Sequence, residues 1–189
     1  MSLSVFKNNL NQFLGRASND NPIQNQSEFA SFLTLQYDTL IRSGFQTANN
    51  VPIQTGNISV MEQTINGVLN KTLNSDTSPT PIVDDIAQSF ISYWTGSQLL
   101  FPAPPPTLPA PPCVVNVATI SVITTNPGTI TPPPPQQPSD DTNPFVNALA
   151  STIQSHLPTL QFQYTVNGLL PNGTPGVGTL IGTGFTVPG

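Results

Sequence analysis

The chain has 189 residues, and only 7% of them are Asp, Glu, Lys or Arg, against about 25% in an ordinary soluble domain. Its net charge is −5 and its four basic residues are scattered, so it lacks the clustered Lys and Arg that bind phosphates. No span approaches the roughly 20 apolar residues that cross a bilayer, and no secretory signal is visible. We therefore expect neither nucleic acid nor a membrane as a partner. Cys113 is the single cysteine, which excludes an intrachain disulfide and is typical of a protein made in a reducing cytoplasm.

Residues 1–100 have the apolar spacing of amphipathic helices, and the first two of four such helices are predicted at the start. The first ends at Gly15 or in the polar stretch that follows it. The second begins at Asn25 or Ser27, either of which can cap it, and runs to about Ser43. The buried faces are expected to hold Phe6, Leu10, Phe13 and Leu14 in the first helix, and Phe29, Phe32, Leu33, Tyr37, Leu40 and Ile41 in the second.

The third helix is predicted to open at the capping-box pattern that begins with Ser59, and the fourth to cover residues 82–96. Asp84 and Asp85 are expected in the first turn of the fourth helix, where negative charge favours the helix dipole. The expected buried positions are Met61, Ile65, Val68, Leu69 and Leu73 in the third helix, and Val83, Ile86, Phe90, Tyr93 and Trp94 in the fourth.

These four helices are each too short to be stable alone, so we expect them to pack into one bundle that ends near Leu100. Each helix carries an apolar stripe that is removed from water only if the helices pack against one another. Trp94 is expected to be at least partly buried within this bundle, against Tyr37 or Phe32.

Residues 101–141 consist of two proline-rich arms that flank one run of β-branched residues. Proline fixes φ and removes a backbone donor, so the arms are predicted to be extended polyproline II. The β-branched run, residues 113–124, is predicted to be a strand. A single strand cannot be stable, so it must pair with a neighbouring chain or with a strand of its own chain, for which residues 160–166 are the obvious candidate.

A fifth helix is predicted between these two strands, because Asn143 can cap it and Pro144 suits its first turn. Its buried stripe would be Phe145, Leu149, Ile153 and Leu157. The glycine-rich residues 167–189 are predicted to form turns or short irregular strands.

The predicted fold class is therefore mainly α. The expected organisation is a helical bundle in residues 1–100, an extended proline-rich arm with a central strand in 101–141, and a helix, a strand and a glycine-rich tail in 142–189. Residues 45–56 and 74–81 are predicted loops within the bundle.

Residues able to do acid–base chemistry are few. His156 is the only histidine and has no titrating partner nearby in sequence, so we interpret it as structural. The adjacent pairs Asp84–Asp85 and Asp140–Asp141 are interpreted as helix-start carboxylates, since the ligand spacing of a calcium loop is absent. We expect no catalytic residue, no metal and no cofactor, and hence no enzyme.

Several short motifs occur in order along residues 1–110: Ser27-Glu28-Phe29-Ala30, Tyr37-Asp38, Val51-Pro52, Ser92-Tyr93-Trp94-Thr95-Gly96 and an abrupt proline run. This combination resembles small structural proteins in the virions of large tailed bacteriophages. The resemblance implies a multicopy component of the tail, baseplate, neck or capsid, without catalytic residues, and location in the virion after synthesis in the host cytoplasm.

The composition favours the same interpretation. A free monomer normally stays soluble through mixed surface charge, whereas this chain depends on Asn, Gln, Ser and Thr, as surfaces buried in assemblies can. We expect a structural subunit, anchored by its neutral residues 101–189 to other subunits and to copies of itself. A secreted adhesin or surface-layer protein is the alternative. The residues expected to make these contacts are Trp94, Phe101, Pro104, Pro112, Val115, Val117, Ile120 and Val122.

Overall fold

The computed structural model describes residues 1–19, 26–47, 52–73, 80–100, 114–115, 119–124, 143–169 and 174–189. These residues form a mainly helical fold with packed N-terminal helices, which confirms the predicted fold class. Five α-helices lie within the described ranges, and a short 3-10 turn, Leu157–Thr159, follows the last of them. The helices are α1 Leu3–Asn19, α2 Gln26–Arg42, α3 Ile58–Leu73, α4 Thr80–Trp94 and α5 Pro144–His156.

The helix ends follow local chemistry. The side chain of Asn143 accepts a hydrogen bond from the Phe145 backbone N–H at 3.0 Å, and Pro144 occupies the first turn, so the predicted cap of α5 is confirmed. Helix α4 begins earlier than predicted, at Thr80. The expectation that Asp84 lies in the first turn is therefore wrong, and the same holds for its neighbour Asp85.

The five helices form a closed ring. Neighbours along the chain pack together from α1 to α4, and α5 then contacts both α4 and α1. Because α5 completes the ring, the N-terminal helices bury their apolar faces against residues that lie far along the chain. One hydrophobic core results, whose fully buried large side chains include Phe6, Leu10, Leu33, Tyr37, Leu40, Phe90, Tyr93, Trp94, Phe162 and Phe185.

Six of the described strands form one antiparallel sheet. Its strands are β2 Ile53–Thr55, β3 Gln98–Leu100, β4 Val114–Val115, β5 Thr119–Thr124, β6 Gln161–Leu169 and β7 Pro175–Thr183, and β1 Phe45–Gln46 pairs separately with β8 Phe185–Thr186. In the sheet, β2 pairs with β3, β3 with β5 and β5 with β6. The predicted pairing of the β-branched run with the strand near residue 162 is confirmed, since Thr124 lies opposite Phe162 and Val122 opposite Tyr164.

The glycine-rich C-terminal region is more regular than predicted. Strand β7 is nine residues long and pairs along the whole of β6, from Gln161 opposite Thr183 to Leu169 opposite Pro175. Since β7 occupies one edge of β6 throughout, β4 and β5 share the other edge. A continuous ladder satisfies the backbone of a glycine-containing strand, although glycine disfavours strands by itself.

The expectation of a loop over residues 45–56 is also wrong, because strands β1 and β2 lie within it. Strand β1 pairs with β8 near the end of the chain, where Phe45 lies opposite Thr186. The backbone N–H of Leu3 donates to the Pro188 carbonyl at 2.9 Å, so α1 also contacts the last residues.

Described residues on both sides of the predicted boundary at residue 100 share one hydrophobic core. Helix α5 and the side chains of Phe162 and Phe185 belong to the same core as the first four helices.

Candidate interaction surfaces

A buried carboxylate lies at the centre of the bundle. Asp38 is only 5% exposed, and each of its side-chain oxygens accepts a hydrogen bond at 2.6 Å. The Tyr93 hydroxyl donates to one oxygen and Nε of Arg42 donates to the other. This pairing compensates the cost of removing the carboxylate from water.

Arg42 links this carboxylate to the sheet. Its Nη1 donates to the Gln54 carbonyl of β2 at 2.9 Å, while its Nε holds Asp38. The hydrogen bond to Asp38 raises the pKa of Arg42 above its ordinary value, so the guanidinium stays charged. One side chain thus ties α2 to the edge strand β2.

Two tyrosines and the tryptophan complete the polar part of the core. The indole N–H of Trp94 donates to the Tyr37 hydroxyl at 2.9 Å, which confirms the expected contact between these residues. Burial raises the pKa of Tyr37, and burial together with the hydrogen bond to Asp38 raises that of Tyr93. Both hydroxyls therefore remain protonated at neutral pH, and that of Tyr93 donates to Asp38.

Trp94 also connects the bundle to the C-terminal region. Its ring lies 5.6 Å from that of Phe162 in β6 and 5.0 Å from that of Phe185 in β8, both in tilted edge-on geometry. Such aromatic pairs stabilise the fold by more than the burial of their surface area alone. The Trp94 side chain has no exposed surface, so it packs inside the core and is not itself part of an interaction surface.

Four phenylalanines form a row on the helical surface, which we call the phenylalanine strip: Phe32, Phe13, Phe29 and Phe145. Phe13 of α1 stacks on Phe32 of α2 with ring centroids 4.3 Å apart, and lies 6.2 Å from Phe29. Phe29 in turn lies 6.1 Å from Phe145 of α5. All four rings are only partly buried, so an apolar row that crosses three helices remains in contact with solvent.

Polar side chains border one end of the phenylalanine strip. An open groove there is lined by Asn9, Gln12, Phe13, Phe32 and Gln36. The Asn9 amide donates to Gln36 Oε1 at 2.8 Å, which fixes α1 against α2 beside the rings. A groove of uncharged amide side chains beside partly exposed aromatic rings is a surface suited to protein contact.

Two edge strands of the sheet, β2 and β7, differ in how they are protected. Strand β2 is three residues long, its register shifts between Ile53 and Thr55, and Arg42 occupies the Gln54 carbonyl. Short length, irregular pairing and a charged side chain all discourage pairing with another chain.

Strand β7 has none of these features except a proline at its first position. It is nine residues long, is paired without register shift, and contains no charged residue. No strand among the described residues pairs with its outer edge. The side chain of Gln46 donates to the Thr183 carbonyl at the end of the strand at 3.0 Å.

The residues predicted to make interactions fall in different places. Trp94 lies in the core, Val115 lies in the short edge strand β4, and Ile120 and Val122 lie in β5, which is paired on both sides. The other four lie outside the described residues: Phe101, Pro104, Pro112 and Val117. The pair Asp140–Asp141 lies outside them too.

Sequence reasoning missed both surfaces described above. The phenylalanines were assigned to buried faces, although α2 carries apolar residues on more sides than one buried stripe needs: Leu35 is 57% exposed. The edge of β7 was missed because its glycines indicated turns. The sequence feature that points to this edge is the absence of charged residues from residue 142 to the end of the chain.

Other chemistry is sparse in the described ranges. His156 is buried at the end of α5, and no group of three or more His, Cys, Asp or Glu side chains is placed to hold a metal there. Among the described helices, none has the length and apolar character to span a bilayer. No family model matches the chain, and no curated protein or solved structure is significantly similar to it.

Proposed function

We propose that this chain is a non-enzymatic structural subunit of a large assembly, specifically a virion component of a tailed bacteriophage. The observation that carries the proposal is the phenylalanine strip, a row of partly exposed aromatic rings across α1, α2 and α5. Exposed contiguous apolar surface is a feature of proteins that bury it against a partner. The phage resemblance of residues 1–110 supplies the kind of particle.

The charge distribution supports burial of this surface between subunits. The strip and its groove are lined by phenylalanine and by the uncharged side chains of Asn9, Gln12 and Gln36. Depletion of charge with enrichment of aromatic residues characterises the centre of protein interfaces. Contacts of this kind are insensitive to salt, because no ion pair is screened.

Particle composition tests the virion assignment. Virions encoded by the genome that carries this gene would be purified and washed in high salt, and their proteins identified by mass spectrometry. The expected result is this chain in a fixed copy number relative to the major structural proteins. Recovery only from the soluble lysate would contradict the proposal, and recovery from the cell surface or medium would favour the adhesin or surface-layer alternative.

A pair of variants tests the strip within the same experiment. Phe13→Ser removes the ring at the centre of the strip, and Val60→Ser changes an exposed apolar residue of α3 as the control. We expect Phe13→Ser to reduce incorporation into particles while the circular dichroism spectrum stays helical. Equal incorporation of the two variants would exclude the strip as the contact surface.

A further inference from the structure

We infer that the outer edge of β7 pairs with the β7 edge of a second copy of this chain, antiparallel about a twofold axis. The starting point is the contrast between the edge strands β2 and β7. Strand β2 is short, irregular and occupied by Arg42, whereas β7 presents nine residues of regular strand without a charge. Proteins protect the edges that must stay unpaired, so an unprotected edge of this length is suited to strand addition.

The geometry favours a second copy as the occupant. An edge strand binds through backbone groups, so its partner must itself have an uncovered and regular edge. Every copy of this chain carries in β7 a regular edge with which no other described strand pairs, and antiparallel pairing about a twofold axis satisfies both edges at once. Full overlap of the nine residues would form about eight backbone hydrogen bonds, because hydrogen-bonded pairs alternate along the ladder and Pro175 has no N–H to donate.

The charge distribution points to the same occupant. Each copy carries a net charge of −5, so contact through charged regions would be opposed by repulsion. Residues 142–189 contain no Asp, Glu, Lys or Arg, and β7 lies within them. Two copies can therefore approach along β7 without placing like charges opposite each other.

This pairing goes beyond the proposed function, since it does not depend on the particle in which the chain occurs. A chain that failed to self-associate could still be a virion component through the phenylalanine strip. Conversely, a β7 dimer could form in a protein of another assembly.

Sedimentation of the full-length chain over a range of concentrations tests the inference. We expect a monomer–dimer equilibrium. Thr179 lies at the centre of β7, so full overlap places it opposite its counterpart at the twofold axis. Thr179→Lys and Thr179→Glu would each raise the dissociation constant by about two- to fivefold, because like charges directly opposite each other in a strand pair are destabilising.

Mixing the two variants provides the decisive comparison. An equimolar mixture of Thr179→Lys and Thr179→Glu should form heterodimers at least as tight as the unmodified dimer, because the opposed charges are then complementary. Gln154→Lys, on the exposed face of α5, adds the same charge elsewhere and should leave dimerisation unchanged. If the copies associated through a surface other than β7, mixing the two variants would not restore dimerisation.

Three results would overturn the inference: a monomer at every concentration, dimers of Thr179→Lys as tight as the unmodified ones, or no recovery on mixing. Thermal unfolding would first establish that the variants fold. Should they not fold, hydrogen exchange of the unmodified chain decides the question. The β7 amides should then become more protected as the concentration rises, and protection independent of concentration would exclude the pairing.

Discussion

Replacing Phe185 by Ala should destabilise the whole protein, although this residue lies near the end of the chain. Its ring is 2% exposed and lies 5.0 Å from the ring of Trp94. Truncation of a buried phenylalanine costs about 3–5 kcal/mol in the free energy of unfolding, from lost burial and the cavity that remains. For a chain of this length, the corresponding fall in the melting temperature is about 10 °C.

Phe45 provides a matched control for this prediction. It belongs to β1, which pairs with the strand that contains Phe185, but its side chain is 39% exposed. Phe45→Ala should therefore cost about 1 kcal/mol or less. Denaturant and thermal unfolding of both variants, followed by circular dichroism, would measure the two costs. Similar small losses for both variants would refute the conclusion that the C-terminal strand completes the core.

Three further predictions follow from the packing of the core. Gly56→Ala places a Cβ within the ring of Tyr93 and should lower the free energy of unfolding by about 1–3 kcal/mol. Gly67→Ala, which has open space around it in α3, should raise the free energy of unfolding by about 0.5–1 kcal/mol. Unfolding curves in which both changes have the same sign would contradict this prediction. Tyr93 and Tyr37 have pKa values raised above 10.0 in the folded protein, so above pH 10 the unfolded chain loses these protons while the folded protein keeps them. The free energy of unfolding should therefore keep its full value below pH 10 and fall above it by about 1.4 kcal/mol per pH unit for each tyrosine. Alkaline unfolding of Tyr93→Phe should show a shallower dependence, and an unchanged slope would argue against this assignment. The chain truncated after Leu100 should lose its cooperative thermal transition, because it lacks α5 and the rings that pack on the tryptophan; a sharp transition near that of the full chain would show that the bundle is autonomous.

The helices were predictable because their signals are local. The apolar spacing of α1 and α2, and the cap at Asn143 followed by proline, depend on residues within a few positions of one another. The pairing of β5 with β6 was also predictable, since each strand shows β-branched enrichment or alternation over several residues.

The remaining features depend on partners distant in sequence. Strand β1 has two residues, and its partner β8 follows about 140 positions later, so no local pattern could indicate it. Strand β7 is rich in glycine and becomes regular because β6 supplies its ladder. The i, i+4 spacing of Asp38 and Arg42 is a local signal of an ion pair, but nothing near Asp38 in the sequence indicates that Tyr93, 55 positions later, donates to it.

The position of Phe185 affects when the protein can fold during its synthesis. Trp94 and the four N-terminal helices leave the ribosome first, yet the side chains that cover them belong to α5 and to the last strands. Until α5 and β8 have been synthesised, the nascent chain must expose apolar surface that the folded protein buries, and such intermediates aggregate readily. A ribosome that slows or stalls before β8 is complete would therefore prolong the most vulnerable stage, and chaperone binding should be greatest for nascent chains that stop just before β8.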